Sequence, residues 1–155
     1  MTSQTPTLHS LDVVKRYCEV GIPRSMKGDR AGVREFLSES FVQHTSTHHM
    51  DGMHSADDRA ASIEEAMKAI PDLRFSVQRY VADGDFVVTH WQLEGTHTGR
   101  HKHRHSEDHL EGTDADVDIG GMTMYRVEHD KIAEAWSYDS HLDFLIESGA
   151  LKLKK

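Results

Sequence analysis

An aspartate that closes an amphipathic strand is the residue of this sequence best placed to move a proton. Met122–Glu128 and Lys131–Asp139 each alternate apolar and polar side chains, and His129-Asp130 joins them as a tight turn. The second segment ends Trp136-Ser137-Tyr138-Asp139, a carboxylate beside aromatic rings, and a short amphipathic helix follows it. A carboxyl group in apolar surroundings suits general acid–base work on an organic molecule. Burial lifts its pKa from about 3.9 toward neutrality, so that it can both take and return a proton. Met122, Trp136 and Tyr138 are the expected low-dielectric wall, and Met124 adds to a Met- and aromatic-lined surface suited to a flat apolar ligand. Asp139 or Ser140 also stands where a helix cap belongs, and capping and catalysis do not exclude each other.

The chain carries 13 histidines. His44, His90 and His97 are the ones expected near a pocket: His44 follows an apolar run, His90 sits beside Trp91, and His97 belongs to Gly95-Thr96-His97. One of them could polarise a substrate carbonyl or hydrogen-bond Asp139. Each is equally suited to be a partly buried, hydrogen-bonded side chain. His90 and His97 are an odd number of positions apart, so a regular strand turns them to opposite faces unless a bulge intervenes. His101-x-His103-x-His105 sets three imidazoles on one side of an extended segment, a spacing that can bind zinc or nickel. Lys102, Arg104 and Glu107 interleave with them, which points to a solvated loop and to any metal there being incidental, so no metal or other cofactor is expected.

The rest of the chain must position these groups. At 155 residues it is long enough for one domain with a single core. A formal net charge of -8 without a broad basic cluster excludes a phosphate-tracking surface, and hence nucleic acid as a partner. A single cysteine, Cys18, excludes an internal disulfide and reads as a small buried filler. No leader-like run opens the chain and no segment is long and apolar enough to cross a bilayer, so a soluble cytoplasmic protein without membrane contact is expected.

Residues 1–9 are expected to be disordered, residues 10–150 to form the domain, and residues 151–155 to be a solvated tail. Ser10 caps a first helix with Val13, Val14, Tyr17 and Val20 on its apolar side, stopped by Gly21 and Pro23. A second helix follows Gly28-Asp29 with Val33, Phe36 and Leu37, extended by Phe41-Val42. The third is capped by Ser55 or Asp57 and places Ile63, Ala66, Met67 and Ile70 at i, i+3, i+4 and i+7 before Pro71 ends it. The period then changes to two. Phe75–Val81 and Phe86–His97 flank the turn Asp83-Gly84-Asp85. On the longer strand Phe86, Val88, His90, Gln92 and Glu94 take one face, and Val87, Thr89, Trp91, Leu93 and His97 the other. Neither face is purely polar, which suits helices or a cavity on one side and a partner subunit on the other. Gly99–Asp116 reads as an exposed loop. Leu142, Leu145 and Ile146 make a last helix, closed by Gly149. Three helices followed by an antiparallel meander indicate an α+β fold, a bent antiparallel or mixed sheet with the helices on its concave face around an interior pocket.

Several of these stretches, in order and at similar spacing, resemble one family. They are Phe41-Val42-Gln43-His44, Ile70-Pro71-Asp72-Leu73, Asp83-Gly84-Asp85-Phe86-Val87-Val88, Gly95-Thr96-His97-Thr98-Gly99, Met124-Tyr125-Arg126-Val127, Lys131-Ile132-Ala133-Glu134-Ala135-Trp136 and Asp139. The chain resembles the SnoaL-like polyketide cyclases of the nuclear transport factor 2-like superfamily over roughly residues 10–150. The resemblance implies an α+β cone, often a homodimer through the outer face of its sheet. It also implies cyclisation of aromatic polyketide esters by an intramolecular aldol step without metal or organic cofactor, with an aspartate matching Asp139 as the acid/base. The family's Gly-rich, Thr-Gly-containing loop is here replaced by the run His101–His109.

The expected activity is therefore a cofactor-independent cyclase or isomerase acting on a polyketide-like, apolar or aromatic substrate. Asp139 is the proton shuttle, His44 or His90 assists, and Trp91, His97, Met122, Met124, Trp136 and Tyr138 line the pocket. Two other classes stay open: a non-catalytic binder of a small apolar ligand, and a hydro-lyase or hydrolase in which Asp139 and a histidine activate water.

Overall fold

The computed structural model describes residues 4–45, 52–102 and 109–154. The chain opens on α1 (Gln4–Arg16), passes through a π-helical turn (Tyr17–Gly21) into α2 (Ile22–Met26) and α3 (Ala31–Arg34), and crosses β1 (Leu37–Thr45) before α4 (Ala56–Ala69). A hairpin of β2 (Arg74–Asp83) and β3 (Phe86–Thr96) follows, then a two-stranded ribbon of β4 (His101–Lys102) and β5 (His109–Leu110). A second hairpin, β6 (Asp116–Glu128) and β7 (Lys131–Asp139), leads into α5 (His141–Glu147). The large sheet has the order β1-β7-β6-β3-β2, and only its β1–β7 pair is parallel.

Three expectations need correction. Helix α1 begins at Gln4, so the segment up to residue 9 is helical where the structure describes it. Pro6 lies in the first turn, where an absent N–H costs nothing. Two long-range contacts, invisible to local pattern, hold that end: the Gly84 N–H donates to Thr7 Oγ1 at 2.8 Å, and His9 Nε2 meets Asp130 at 2.7 Å. Gly21 and Pro23 do not stop the first helix; the π-helical turn carries it into α2, with Pro23 in α2's first turn. Gly21 is needed for close approach, since a Cβ there would collide with the Gly32 carbonyl oxygen. Finally, Leu37–Thr45 is an edge strand rather than a helical extension; its hydrogen bonds go to β7, a pairing between segments some ninety residues apart that short-range periodicity does not reveal.

Other elements follow their local signals. Ser55 caps α4 by accepting from Asp58 N at 3.0 Å, and Asp58 in return accepts from His54 N at 2.9 Å. The β6–β7 turn places His129 and Asp130 at φ 50° and 66°, the left-handed geometry of a tight hairpin.

Register divides the sheet into two faces, because residues directly opposite one another share a side. Three rows run across β3, β6 and β7 on the helix-covered face: Val87–Tyr125–Ala135, Thr89–Thr123–Ser137 and Trp91–Gly121–Asp139. The open face carries Phe86–Arg126–Glu134, Val88–Met124–Trp136 and His90–Met122–Tyr138. Val13, Val14, Tyr17, Val33, Ala60 and Ile63 from the helices pack with Val87, Tyr125, Val127 and Ile132 in the main core. Trp91, Ile119, Phe144 and Leu145 form a second core under α5.

Candidate functional site

Asp139 ends the third helix-covered row. Beside it Trp91 lies across β6 at Gly121, where a Cβ would collide with the indole and stand 2.9 Å from Asp139 Cβ. The absence of a side chain at that one position lets ring and carboxylate approach. The indole Nε1 donates to Thr123 Oγ1 at 2.9 Å, and Thr123 Oγ1 is 3.0 Å from Ser137 Oγ. Thr89, Thr123 and Ser137 are all buried, so these bonds satisfy a polar seam beneath the helices.

Asp139 itself is exposed. Its Oδ1 accepts from His141 N at 2.9 Å, the geometry of a cap on α5, while Ser140 Oγ instead accepts from Gly120 N at 3.2 Å. The wall expected around it is not there. Period two sends Met122, Met124, Trp136 and Tyr138 to the open face, and of the expected lining residues Trp91 and His97 share the side of the carboxylate. Tyr17, Tyr125, Val14 and Ile63 are buried between the helices and the sheet, and among the described residues two shallow clefts open to solvent away from Asp139, one lined by Asp72, Arg74, Glu94 and Asp116, the other by Pro6, His9, Asp85 and Asp130.

His44 and His90 are not neighbours of Asp139. His44 stacks on Trp136 on the open face, with ring centroids 5.5 Å apart and planes 24° apart, and its Nε2 lies 2.7 Å from Glu134 Oε2. The bond from His44, and then that from Arg126, holds the Glu134 carboxyl below its usual range against the opposing effect of burial. His90 is exposed in the row of Met122 and Tyr138. His97 is on the opposite side from His90 and is 1% exposed. Its Nδ1 meets Thr113 Oγ1 at 3.1 Å and its ring stands edge-on to Phe144 at 5.6 Å, so it fastens the end of β3 to α5. Burial lowers its pKa, favouring the neutral ring. His48, His49, His103 and His105 lie outside the described residues. Thus Asp139, Trp91 and His97 share the helix-covered side, and His44, His90, Met122, Met124, Trp136 and Tyr138 share the other.

A second polar group, missed from the sequence, lies deeper under the helices. Arg59 Nε donates to Tyr17 Oη at 3.1 Å, and Tyr17 packs edge-on to Tyr125 with centroids 5.9 Å apart. Burial pushes up the pKa of both phenols and raises the Cys18 thiol to about 12, so all three stay protonated. Burial alone would lower the Arg59 pKa, but Tyr17, Tyr125 and Cys18 outweigh it and leave it raised. The signal was present: Arg59 precedes Ile63 by four, which sets a cation on the apolar stripe of α4.

The profile of the SnoaL-like polyketide cyclase family matches residues 12–145. A candidate SnoaL-like polyketide cyclase from Jannaschia sp. CCS1 has a similar structure, with a TM-score of 0.77 and 18% identity over 94% of this chain and 95% of that one. IdmH, a candidate polyketide cyclase from Streptomyces antibioticus, gives 0.69 and 21% over 90% and 98%. AclR, a candidate hydroxylase from Streptomyces galilaeus, gives 0.67 and 21% over 91% and 87%. At these identities the likeness is one of fold. No curated protein matches the sequence. Among the described residues, no helix is long and apolar enough to cross a membrane.

Proposed function

The chain belongs to the SnoaL-like polyketide cyclases, and from that premise we propose that it is a cofactor-independent cyclase or isomerase of a polyketide-like substrate, with Asp139 as its acid/base. The observation that supports this is the row Trp91–Gly121–Asp139, which sets a carboxylate beside a flat apolar ring at the rim of the helix-covered face. In an aldol-type closure Asp139 takes the proton from a carbon flanked by two carbonyls. The enolate carbon bonds to a second carbonyl carbon, whose electron pair moves to oxygen, and Asp139 returns the proton to that alkoxide. The free protein leaves Asp139 in water; a flat substrate lying on Trp91 would itself cover the carboxylate and exclude solvent.

A second reading, binding without turnover, is favoured by the exposure of Asp139 and its bond to His141 N. Asp139→Asn separates the two, because asparagine caps a helix about as well as aspartate and only the base is lost. Turnover of a 1,3-dicarbonyl polyketide-like substrate should fall by roughly 10²–10⁴-fold with the melting temperature unchanged. Full turnover in the Asn variant removes Asp139 from the chemistry. No product from the native protein, with ligand affinity equal in both, selects the binder. His44→Ala and His90→Gln should keep turnover within about twofold, since both rings are on the other side of the sheet from Asp139.

A further inference from the structure

The three buried hydroxyls of the row Thr89–Thr123–Ser137 do not share one job. Polar groups buried there cost desolvation unless they are bonded. Thr89 Oγ1 donates to the Thr123 carbonyl and ties β3 to β6. Thr123 Oγ1 serves the next row instead. It accepts from Trp91 Nε1, which can only donate, at 2.9 Å, and it is joined to Ser137 Oγ at 3.0 Å. Without it a buried indole N–H would be stranded, so this hydroxyl decides which way round the ring sits. An indole can turn about its Cβ–Cγ bond between two broad orientations, and only one of them puts Nε1 on Thr123. That orientation also sets the Cζ2 edge over Gly121. A Cβ built at Gly121 would stand 2.4 Å from Trp91 Cζ2 and 2.9 Å from Asp139 Cβ. Ring edge and carboxylate stem thus close on the same notch. The other hold on Asp139 is at the far end of its side chain, where Oδ1 accepts from His141 N at 2.9 Å.

We propose that Thr123 is a positioning residue for Asp139: by fixing the indole of Trp91, it keeps the carboxylate where it can exchange a proton with the substrate. Thr123 touches neither substrate nor reacting atoms and acts through Trp91 alone. The inference rests on Asp139 being the acid/base. It needs no space under the helices, because the contacts run through packed side chains and reach solvent only at Asp139, which is exposed. A ring released from Thr123 leaves the notch, and Asp139 then has only the His141 bond to define its rotamer. Misplacing a reacting group by about 1 Å can cost roughly a hundredfold in rate.

The test uses the full chain and a naphthyl β-keto ester as probe. Exchange of the proton between its two carbonyls into heavy water is followed by NMR, above the uncatalysed rate. A second NMR reading follows solvent exchange of the Trp91 indole N–H, identified as the signal that Trp91→Phe deletes. Thr123→Val keeps the shape and deletes the hydroxyl; it should lower kcat about tenfold with KM within about twofold, and speed the indole exchange. Thr123→Ser keeps the hydroxyl and deletes a buried methyl; it should melt lower than the native protein yet recover kcat and slow indole exchange. A purely structural role would make kcat follow the melting temperature in both. Where Thr123→Val does not fold, Ser137→Ala takes its place: it removes a partner of Thr123 Oγ1 and should lower kcat about threefold at unchanged KM. Native kcat in these variants, an indole that stays protected in Thr123→Val, or a Thr123→Ser variant as slow as Thr123→Val overturns the proposal. Asp139→Asn separates the failures: full turnover there refutes the base, whereas turnover lost there but native kcat in Thr123→Val refutes only the positioning. A native protein that does not exceed the uncatalysed rate overturns both.

Discussion

The two faces of the sheet use the same strands to opposite ends. Under the helices, polar side chains bond to one another across rows: Trp91 to Thr123, Thr123 to Ser137. On the open face, apolar side chains remain in water. Phe86 is 40% exposed, Met122 53% and Tyr138 63%, beside the hydrogen-bonded set of His44, Glu134 and Arg126. Apolar content therefore does not tell the inside of this sheet from the outside, since large apolar residues stand on both faces, buried on one and exposed on the other. A face that keeps large apolar residues in water next to paired charges is suited to a second protein surface. The homodimer that the family resemblance implies would use this face.

The largest expected effect comes from breaking that asymmetry in both directions. Ile132→Ala, in the main core, should cost about 2–5 kcal/mol, a drop in melting temperature of roughly 5–15 °C for a chain of this size. Tyr138→Ala should stay within about 0.5 kcal/mol. Phe86→Asp with Tyr138→Asp should likewise spare the fold, yet shift a dimer to monomer in sedimentation velocity. A native protein that is monomeric at all concentrations, or a double variant that stays dimeric, would remove this face from the assembly.

Trp91→Phe tests the seam between the faces. It keeps an aromatic ring beside Asp139 but deletes the donor to Thr123, and should cost about 1–3 kcal/mol by thermal unfolding. If the ring alone matters to substrate, KM should hold and only stability fall. An unchanged melting temperature would mean that the seam contributes nothing.

Much of this could be read from the chain. The β3 alternation assigned its two faces as they stand, the His129-Asp130 turn set the last hairpin, and Ser55 announced α4. What escaped was long-range. The parallel pairing of β1 with β7 depends on contacts with no local signal, and so does the anchoring of α1 by Gly84 and Asp130. At the site the error was one of neighbourhood. Residues adjacent to Asp139 in sequence were expected to surround it, but along a strand adjacent residues face apart. Trp136-Ser137-Tyr138-Asp139 thus contributes only Ser137 and Asp139 to the covered side, and the ring that does reach Asp139 comes from β3. Arg59 interrupts the apolar stripe of α4 four residues before Ile63, while the Tyr17 hydroxyl it bonds is 42 residues away and has no local signal.

The smallest effect probes the charges of the open face. Glu134 accepts from His44 at 2.7 Å and from Arg126 at 3.4 Å, and these bonds hold its pKa below the reference 4.5. A depressed carboxyl stabilises the fold above its unfolded pKa, and that contribution disappears as the pH falls through the folded value. Glu134→Gln should therefore cost on the order of 0.5–1 kcal/mol at pH 7, and the gap from the native protein should close as the pH falls below 4.5. The Ile132→Ala deficit, which is a loss of packing, should stay level over the same range. Melting curves of all three proteins between pH 3 and 7 make the comparison. A Glu134→Gln gap that stays constant down to pH 3 would show that the side chain matters for its shape and not its charge, and the open face would then lose its ionic half.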